Sequence, residues 1–302
     1  MNRADPALTT FAHRPDPDDP LLANAGPQAD AWLELPPQGD RRSSRFWRKV
    51  SGWWLPVLAL VALEILARTG VVSARLMPPP SEVFSTLREL AAHGLWRHVA
   101  ASGARVMCGF GIGAALGVAA GLAVGLSARL ERSIDPTLQG LRAIPSLAWV
   151  PLLLLWLGID EAPKVTLIAL GAFFPVYLNV LAGIRNVDRK LVELGESMGL
   201  TPAAMIRRIF LPASLPSLFT GLRAASSLSW MFLVAAELIA ATSGLGYLLT
   251  DGRETGRPDI VLAAILLLGV LGKLSDSGLK WIERRQLAWR DAYDPGLAPG
   301  NE

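Results

Sequence analysis

Ionisable side chains set inside apolar runs are the residues here whose chemistry asks first for an explanation, because a charge in hydrocarbon is costly and is kept for a function or a partner. Glu237 stands among Val234, Ala235, Ala236, Leu238 and Ile239, with Ser226, Ser229 and Trp230 in the turns before it. A place on a translocation path, a gate, or a packed structural carboxylate would each account for it. For an anionic solute its charge argues against direct ligation. Glu64 and Arg68 lie four apart, the favourable order for a helix ion pair. Lys273 and Asp276 lie three apart, where pairing and snorkelling suffice. Tyr177 and Asn179 offer further polar contacts. Pro145, Pro151 and Pro175 each free a carbonyl that a membrane tolerates only where something else satisfies it, often beside a cavity. Hydrolase chemistry has little to work with: Ser226, Ser227 and Ser229 have no histidine in any apolar run to activate them. Cys108 is a lone cysteine, and with His13, His93 and His98 it forms no standard metal-ligand spacing, so no metal site is expected. His93 and His98 receive no role.

The surroundings of these residues are those of a membrane protein. Of 302 residues 51% are apolar and 18% charged, against roughly 25% charged in soluble domains, and the net charge of +3 gives no reason to expect nucleic acid. A crossing helix needs about 20 residues for roughly 30 Å of hydrocarbon. Six segments approach that length, at about 53–72, 106–128, 143–159, 165–184, 224–249 and 260–280. The expected fold is therefore all-α, a polytopic membrane protein with six transmembrane helices. Residues 1–50, rich in Pro and Asp, read as a disordered cytoplasmic tail with no secretory signal. Arg41, Arg42, Arg45, Arg48 and Lys49 precede the first span, and the loops on the same side carry most of the remaining Lys and Arg. That bias puts both termini in the cytoplasm. Residues 51–94 would hold the first span and an outer loop, 95–283 the transmembrane domain, and 284–302 a second cytoplasmic tail.

Gly109, Gly113, Gly117, Gly121 and Gly125 repeat every four residues, which lines one helix face with glycine and lets another backbone approach closely. Gly109-Phe110-Gly111-Ile112-Gly113 follows no strand and is apolar throughout, and Gly272-Lys273 is followed by Leu274, so neither is a nucleotide loop. ATP binding by this chain is not expected.

Between Ile184 and Arg223 the chain is too polar to span and too patterned to be slack. Leu191, Leu194 and Met198 share one face of a helix that Gly199 ends. Thr201 then caps a second helix with Pro202 at its first position, and Pro212 and Pro216 are expected to end that helix before the fifth span.

Here the residues carry a resemblance. Glu193, Gly199, Ile209, Leu211 and Pro212 match the EAA signature of bacterial ABC importer permeases, E-A-A-x3-G-x9-I-x-L-P, with both spacings intact and with Leu194 and Gly195 in place of the two alanines. Met77-Pro78-Pro79-Pro80-Ser81, Ala143-Ile144-Pro145-Ser146, Gly158-Ile159-Asp160-Glu161-Ala162, Gly171-Ala172-Phe173-Phe174-Pro175, Ala235-Ala236-Glu237 and Ser243 to Leu248 are similar to the subfamily serving aliphatic sulfonates, taurine and nitrate, over about residues 50–290. The resemblance implies a non-enzymatic permease subunit in the bacterial inner membrane, paired with a second permease subunit. Cytoplasmic ATPase subunits would hydrolyse ATP, and a periplasmic or lipid-anchored binding protein would deliver solute. Residues 186–220 would be the coupling segment, with Glu193 and Gly199 shaping its bend and Ile209, Leu211 and Pro212 seating it. An ion-gradient-driven transporter using Glu237, Glu64 and Lys273 is the competing reading.

Overall fold

A computed structural model of the chain describes residues 54–70, 73 and 77–288. The tail at 1–50 lies outside the described residues, as does most of that at 284–302. The chain divides into two compact units, Met1–Ala59 and Leu60–Glu302, and of the first only residues 54–59, the opening turns of helix α1 (Trp54–Arg68), are described. Among the described residues every regular element is a helix.

At 15 residues α1 is about 22 Å long, shorter than the expected first span. Gly70, at φ +75°, follows its end. The Glu64–Arg68 ion pair forms at 2.6 Å, and Glu64 also accepts the Ser81 backbone N–H at 3.0 Å and the Ser81 hydroxyl at 2.8 Å. That carboxylate thus serves the open N-terminus of helix α2 (Pro80–Ala92), which Pro80 begins because a first-turn position needs no N–H. The stretch read as an outer loop therefore holds an amphipathic helix. Thr86 in α2 donates to Asp259 at 2.8 Å, tying it to the last helix.

Helix α3 (Leu95–Leu126) is 32 residues long and starts eleven residues before the expected second span at 106. The third span, expected at 143–159, is not a continuous helix. Pro145 forces Ile144 into extended backbone (φ −75°, ψ 123°) and so ends α4 (Ala128–Ala143). A single 3-10 turn, Ser146–Trp149, then leads into the eight-residue α5 (Val150–Leu157), which opens on Pro151. The two arms meet at 89°. Neither arm reaches the length of a crossing, because hydropathy does not register the two missing donors.

Helix α6 (Glu161–Arg185) is the most buried of the long helices. After α7 (Arg189–Ser197) and α8 (Pro202–Met205), a wide turn at Ile206–Phe210 runs straight into α9 (Leu211–Ala240). Pro212 and Pro216 do not end the helix as expected. The Leu211 N–H reaches back five residues to Ile206, so the hydrogen-bond register skips where Pro212 has no donor to give. Pro202–Ile239 consequently forms one helix of 38 residues, about 57 Å long. The fifth span ends at Ala240, not 249. The chain is extended at Ala241 and turns at Gly244 (φ +130°) into α10 (Leu245–Glu254). Helix α11 (Pro258–Gln286) completes the described chain. Four helices are long and apolar enough to cross a membrane, five if the bent pair is one crossing, against the six expected.

The core is a sandwich with α6 between α3 and α9. Every glycine of the four-residue row faces α6. A Cβ on Gly109 would come within 2.6 Å of Ile168, on Gly117 within 2.8 Å of the Phe173 carbonyl, and on Gly121 and Gly125 within 2.8 Å of Val180 and Ile184. On the other side of α6, Gly171 receives Phe232, and Gly221 of α9 receives Asn179. Tyr177, also on α6, donates to Asp135 of α4 at 2.5 Å. Tyr177→Phe keeps the ring's stacking on Phe173 (5.9 Å between centroids) and removes only the bond to the carboxylate. It is expected to cost about 2 kcal/mol in thermal unfolding in detergent, whereas Arg185→Gln, which breaks the half-exposed pair with Glu131, is expected to be nearly neutral.

A buried ionic clamp and a surface elbow: the candidate functional site

Two constructions stand at opposite ends of the 38-residue helix. At the end near Ala240, Glu237 is buried, with no exposed side-chain surface, and Arg105 of α3 is 6% exposed. Arg105 Nη1 donates to Glu237 Oε1 at 2.6 Å and to the Ser243 carbonyl at 2.5 Å. Its Nε and Nη2 grip Glu161 of α6 in a two-pronged contact at 2.6 and 2.7 Å, the geometry in which guanidinium and carboxylate match best. Lys164 adds a bond to Glu161 at 3.1 Å. Two cations and two carboxylates therefore balance, which low-dielectric burial requires.

The second oxygen of Glu237 accepts the Gly246 N–H at 2.7 Å. Ser102 donates to Glu237 at 2.8 Å and accepts the Leu245 N–H, also at 2.8 Å. His98 Nδ1 accepts the Gly244 N–H at 3.1 Å, and its ring stacks on Tyr247. The open N–H groups at the start of α10 are thus capped by side chains from α3 and α9, with the carboxylate at the positive end of the helix. Glycine is needed at 246, where a Cβ would come within 2.6 Å of Glu237 Cβ, and at 244, where the backbone is left-handed and a Cβ would collide with the Glu237 carboxylate. Among the described residues no buried side-chain polar atom lacks a partner.

The other candidates on the path lie apart from this clamp. Ser229 is buried and bonds back to the Ala225 carbonyl at 2.8 Å. Ser226 is buried beside the core. Trp230 donates to Ser275 at 3.1 Å, and Asn179 to the Pro175 carbonyl at 2.8 Å. Pro145 marks the exposed bend between α4 and α5. Asp276 pairs with Arg223 of α9 at 2.9 Å instead of with Lys273. Arg105, Ser102, His98 and Glu161 were missed as a set. Arg105 had been counted with the outer loop, although it continues the four-residue row that runs on through Gly109, and that periodicity was the available signal.

At the far end, Leu200 N–H bonds to the Gly195 carbonyl at 3.1 Å and Gly199 adopts φ +69°, which closes α7 as a C-terminal glycine cap does. Thr201 caps α8 through the Ala204 N–H at 3.3 Å. Gly195 is buried against the second arm: a Cβ there would collide with Met205 and lie 2.6 Å from Ile209 Cδ1. Small size at this signature position therefore sets how closely the arms meet. Glu193 accepts from Arg189 at 2.8 Å on the exposed side, while Leu211 is exposed and Ile209 and Pro212 are half-buried. Leu191, Leu194 and Met198, on one face, are 45%, 57% and 70% exposed. The elbow thus presents apolar side chains outward.

A bundle of long apolar helices bearing such an elbow defines a multi-pass membrane transport subunit. The family model described as "Binding-protein-dependent transport system inner membrane component" matches residues 113–287, and the chain belongs to that family of ABC permeases, which are transport components, not enzymes. It is 45% identical over 246 residues to the putative aliphatic sulfonates transport permease protein SsuC of Escherichia coli K12, covering 81% of this chain and 94% of that one. It is 41% identical to the protein of the same description from Bacillus subtilis 168, covering 82% and 91%. The taurine transport system permease protein TauC of E. coli K12 is 36% identical, covering 74% and 84%. Among solved structures the inward-facing MetNI methionine ABC transporter superposes with a TM-score of 0.55 at 21% identity, covering 65% of this chain and 96% of that one, a likeness of fold.

Proposed function

We propose that the chain is the membrane-spanning subunit of an ATP-driven importer for a small anion, an aliphatic sulfonate before taurine or nitrate. It works as a homodimer with cytoplasmic ATPase subunits and a periplasmic or lipid-anchored binding protein, with both termini in the cytoplasm. The observation that carries the reading is the elbow at 189–212, whose outward apolar face belongs to the same rigid element as the helix reaching Glu237. A partner ATPase that moves the elbow moves that helix as a body, whereas a slack loop would absorb the shift. The clamp at the outer end joins α3, α6, α9 and the start of α10, so it turns a displacement of α9 into one of α10. Sulfonate ranks first because the SsuC relatives carry 45% and 41% identity against 36% for TauC.

The gradient-driven alternative needs a carboxylate able to exchange protons or ions, and Glu237 is committed to Arg105, Ser102 and Gly246. Co-purification tests the elbow. The double variant Leu194→Glu with Met198→Glu, at two exposed positions, is expected to lower recovery of the ATPase with the tagged permease more than tenfold while permease yield holds. Undiminished recovery would remove the elbow from the coupling interface.

A further inference from the structure

A groove of about 530 Å³ lies between the end of α9, the outer face of α10 and the first turns of α11, within the size of small-molecule sites. Leu238, Leu249, Pro258, Val261 and Ile265 give it apolar walls, and Arg253 is the lining residue that brings a charge. Leu238 and Ile265 are 46% and 51% exposed. The Arg253 guanidinium is 74% exposed, and its contact with Glu254 is long, at 3.9 Å. Such an exposed pair is worth little, which leaves the guanidinium available to an anion. An apolar trough with one cation fits an amphiphilic anion and fits poorly a fully hydrated one such as nitrate, which has no surface to bury there.

We infer that this groove is a transit site for alkanesulfonates, with the alkyl chain lying between α10 and α11 and the sulfonate on Arg253. The inference rests on the importer reading above, which places α10 on the face where solute arrives. The sulfonate oxygens accept hydrogen bonds from the guanidinium, which offers several donors in a fixed fork, and the aliphatic chain takes the place of water along Leu249, Val261 and Ile265. Because α10 is capped by Glu237, the groove wall shifts when α9 shifts, so its shape is tied to the transport cycle.

The test uses the reconstituted full complex in liposomes with saturating loaded binding protein, comparing uptake of methane-, butane- and octanesulfonate. Ile265→Trp, at an exposed position, narrows the groove and is expected to lower the ratio of octanesulfonate to methanesulfonate uptake about tenfold. Arg253→Gln is expected to slow uptake of all three about tenfold with ATP hydrolysis retained, and Arg253→Lys to restore most of it. Equal effects of Ile265→Trp on every chain length, or no effect of Arg253→Gln, would overturn the groove as a transit site. So would loss of the permease dimer in either variant, which would make the groove a contact between two copies. Absence of sulfonate uptake by the unaltered complex would instead remove the importer reading on which the inference rests.

Discussion

Glu237→Ala is expected to be the most damaging single substitution in the chain. It leaves Arg105 buried with one of its two carboxylate partners, and it strips the cap from Gly246 and one partner from Ser102. Breaking one member of a buried ion pair costs about 3–5 kcal/mol because the remaining charge stays desolvated. Thermal unfolding of the purified permease in detergent should show a drop of that size, along with reduced yield. Glu237→Gln keeps the shape and can still accept from Gly246, so its loss should be smaller. Replacing both partners, as Glu237→Met with Arg105→Met, should recover part of the loss, since an apolar pair carries no desolvation penalty. The recovery stays incomplete because Glu161 and the first N–H groups of α10 lose partners in either case. Glu237→Ala at unchanged stability would mean that the clamp is not what holds α10 to α3 and α9.

The second large effect is steric. At Gly113 a side chain would collide with the backbone carbonyl of Ala169 and come within 2.8 Å of Ala172 Cβ, and a carbonyl in α6 cannot rotate away. Gly113→Leu should therefore push α3 off α6, at a cost of ~3 kcal/mol or more, the upper range of overpacking. Gly111 is two residues away on the opposite face with nothing near its Cβ position, so Gly111→Leu should leave stability almost unchanged. The comparison separates helix packing from any general effect of glycine on helix stability, because both substitutions remove the same kind of residue from the same helix. Equal loss in both variants would contradict the close α3–α6 contact.

What was legible in the sequence followed range. The elbow is built from contacts within about twenty residues, Glu193 to Pro212, so its spacing stated its shape directly. Gly199 was assigned as the stop from its freedom at positive φ, and it sits at +69°. The glycine row showed through because a four-residue period is a property of one helix. The clamp was half legible. Glu237 stood out by its surroundings, but its partner Arg105 is 132 residues away, and its polar neighbours lower the hydropathy of the helix that carries it. Asp276 was given Lys273, three residues off, when its partner is Arg223, 53 residues away. Pairing across helices is fixed by packing, not by spacing. The remaining errors concern the backbone: hydropathy carried the third span across Pro145 and Pro151, and the rule that proline ends a helix failed at Pro212, where the wider turn supplies the missing register.

The central claim is that ATP hydrolysis by a partner at the elbow drives solute through this chain. The most direct measurement is sulfonate uptake into proteoliposomes holding the permease, its ATPase and its binding protein, with ATP or a non-hydrolysable analogue enclosed and with ion gradients imposed or collapsed. Uptake should require hydrolysable ATP and persist when proton and sodium gradients are abolished. Uptake that follows a gradient without ATP would contradict the account.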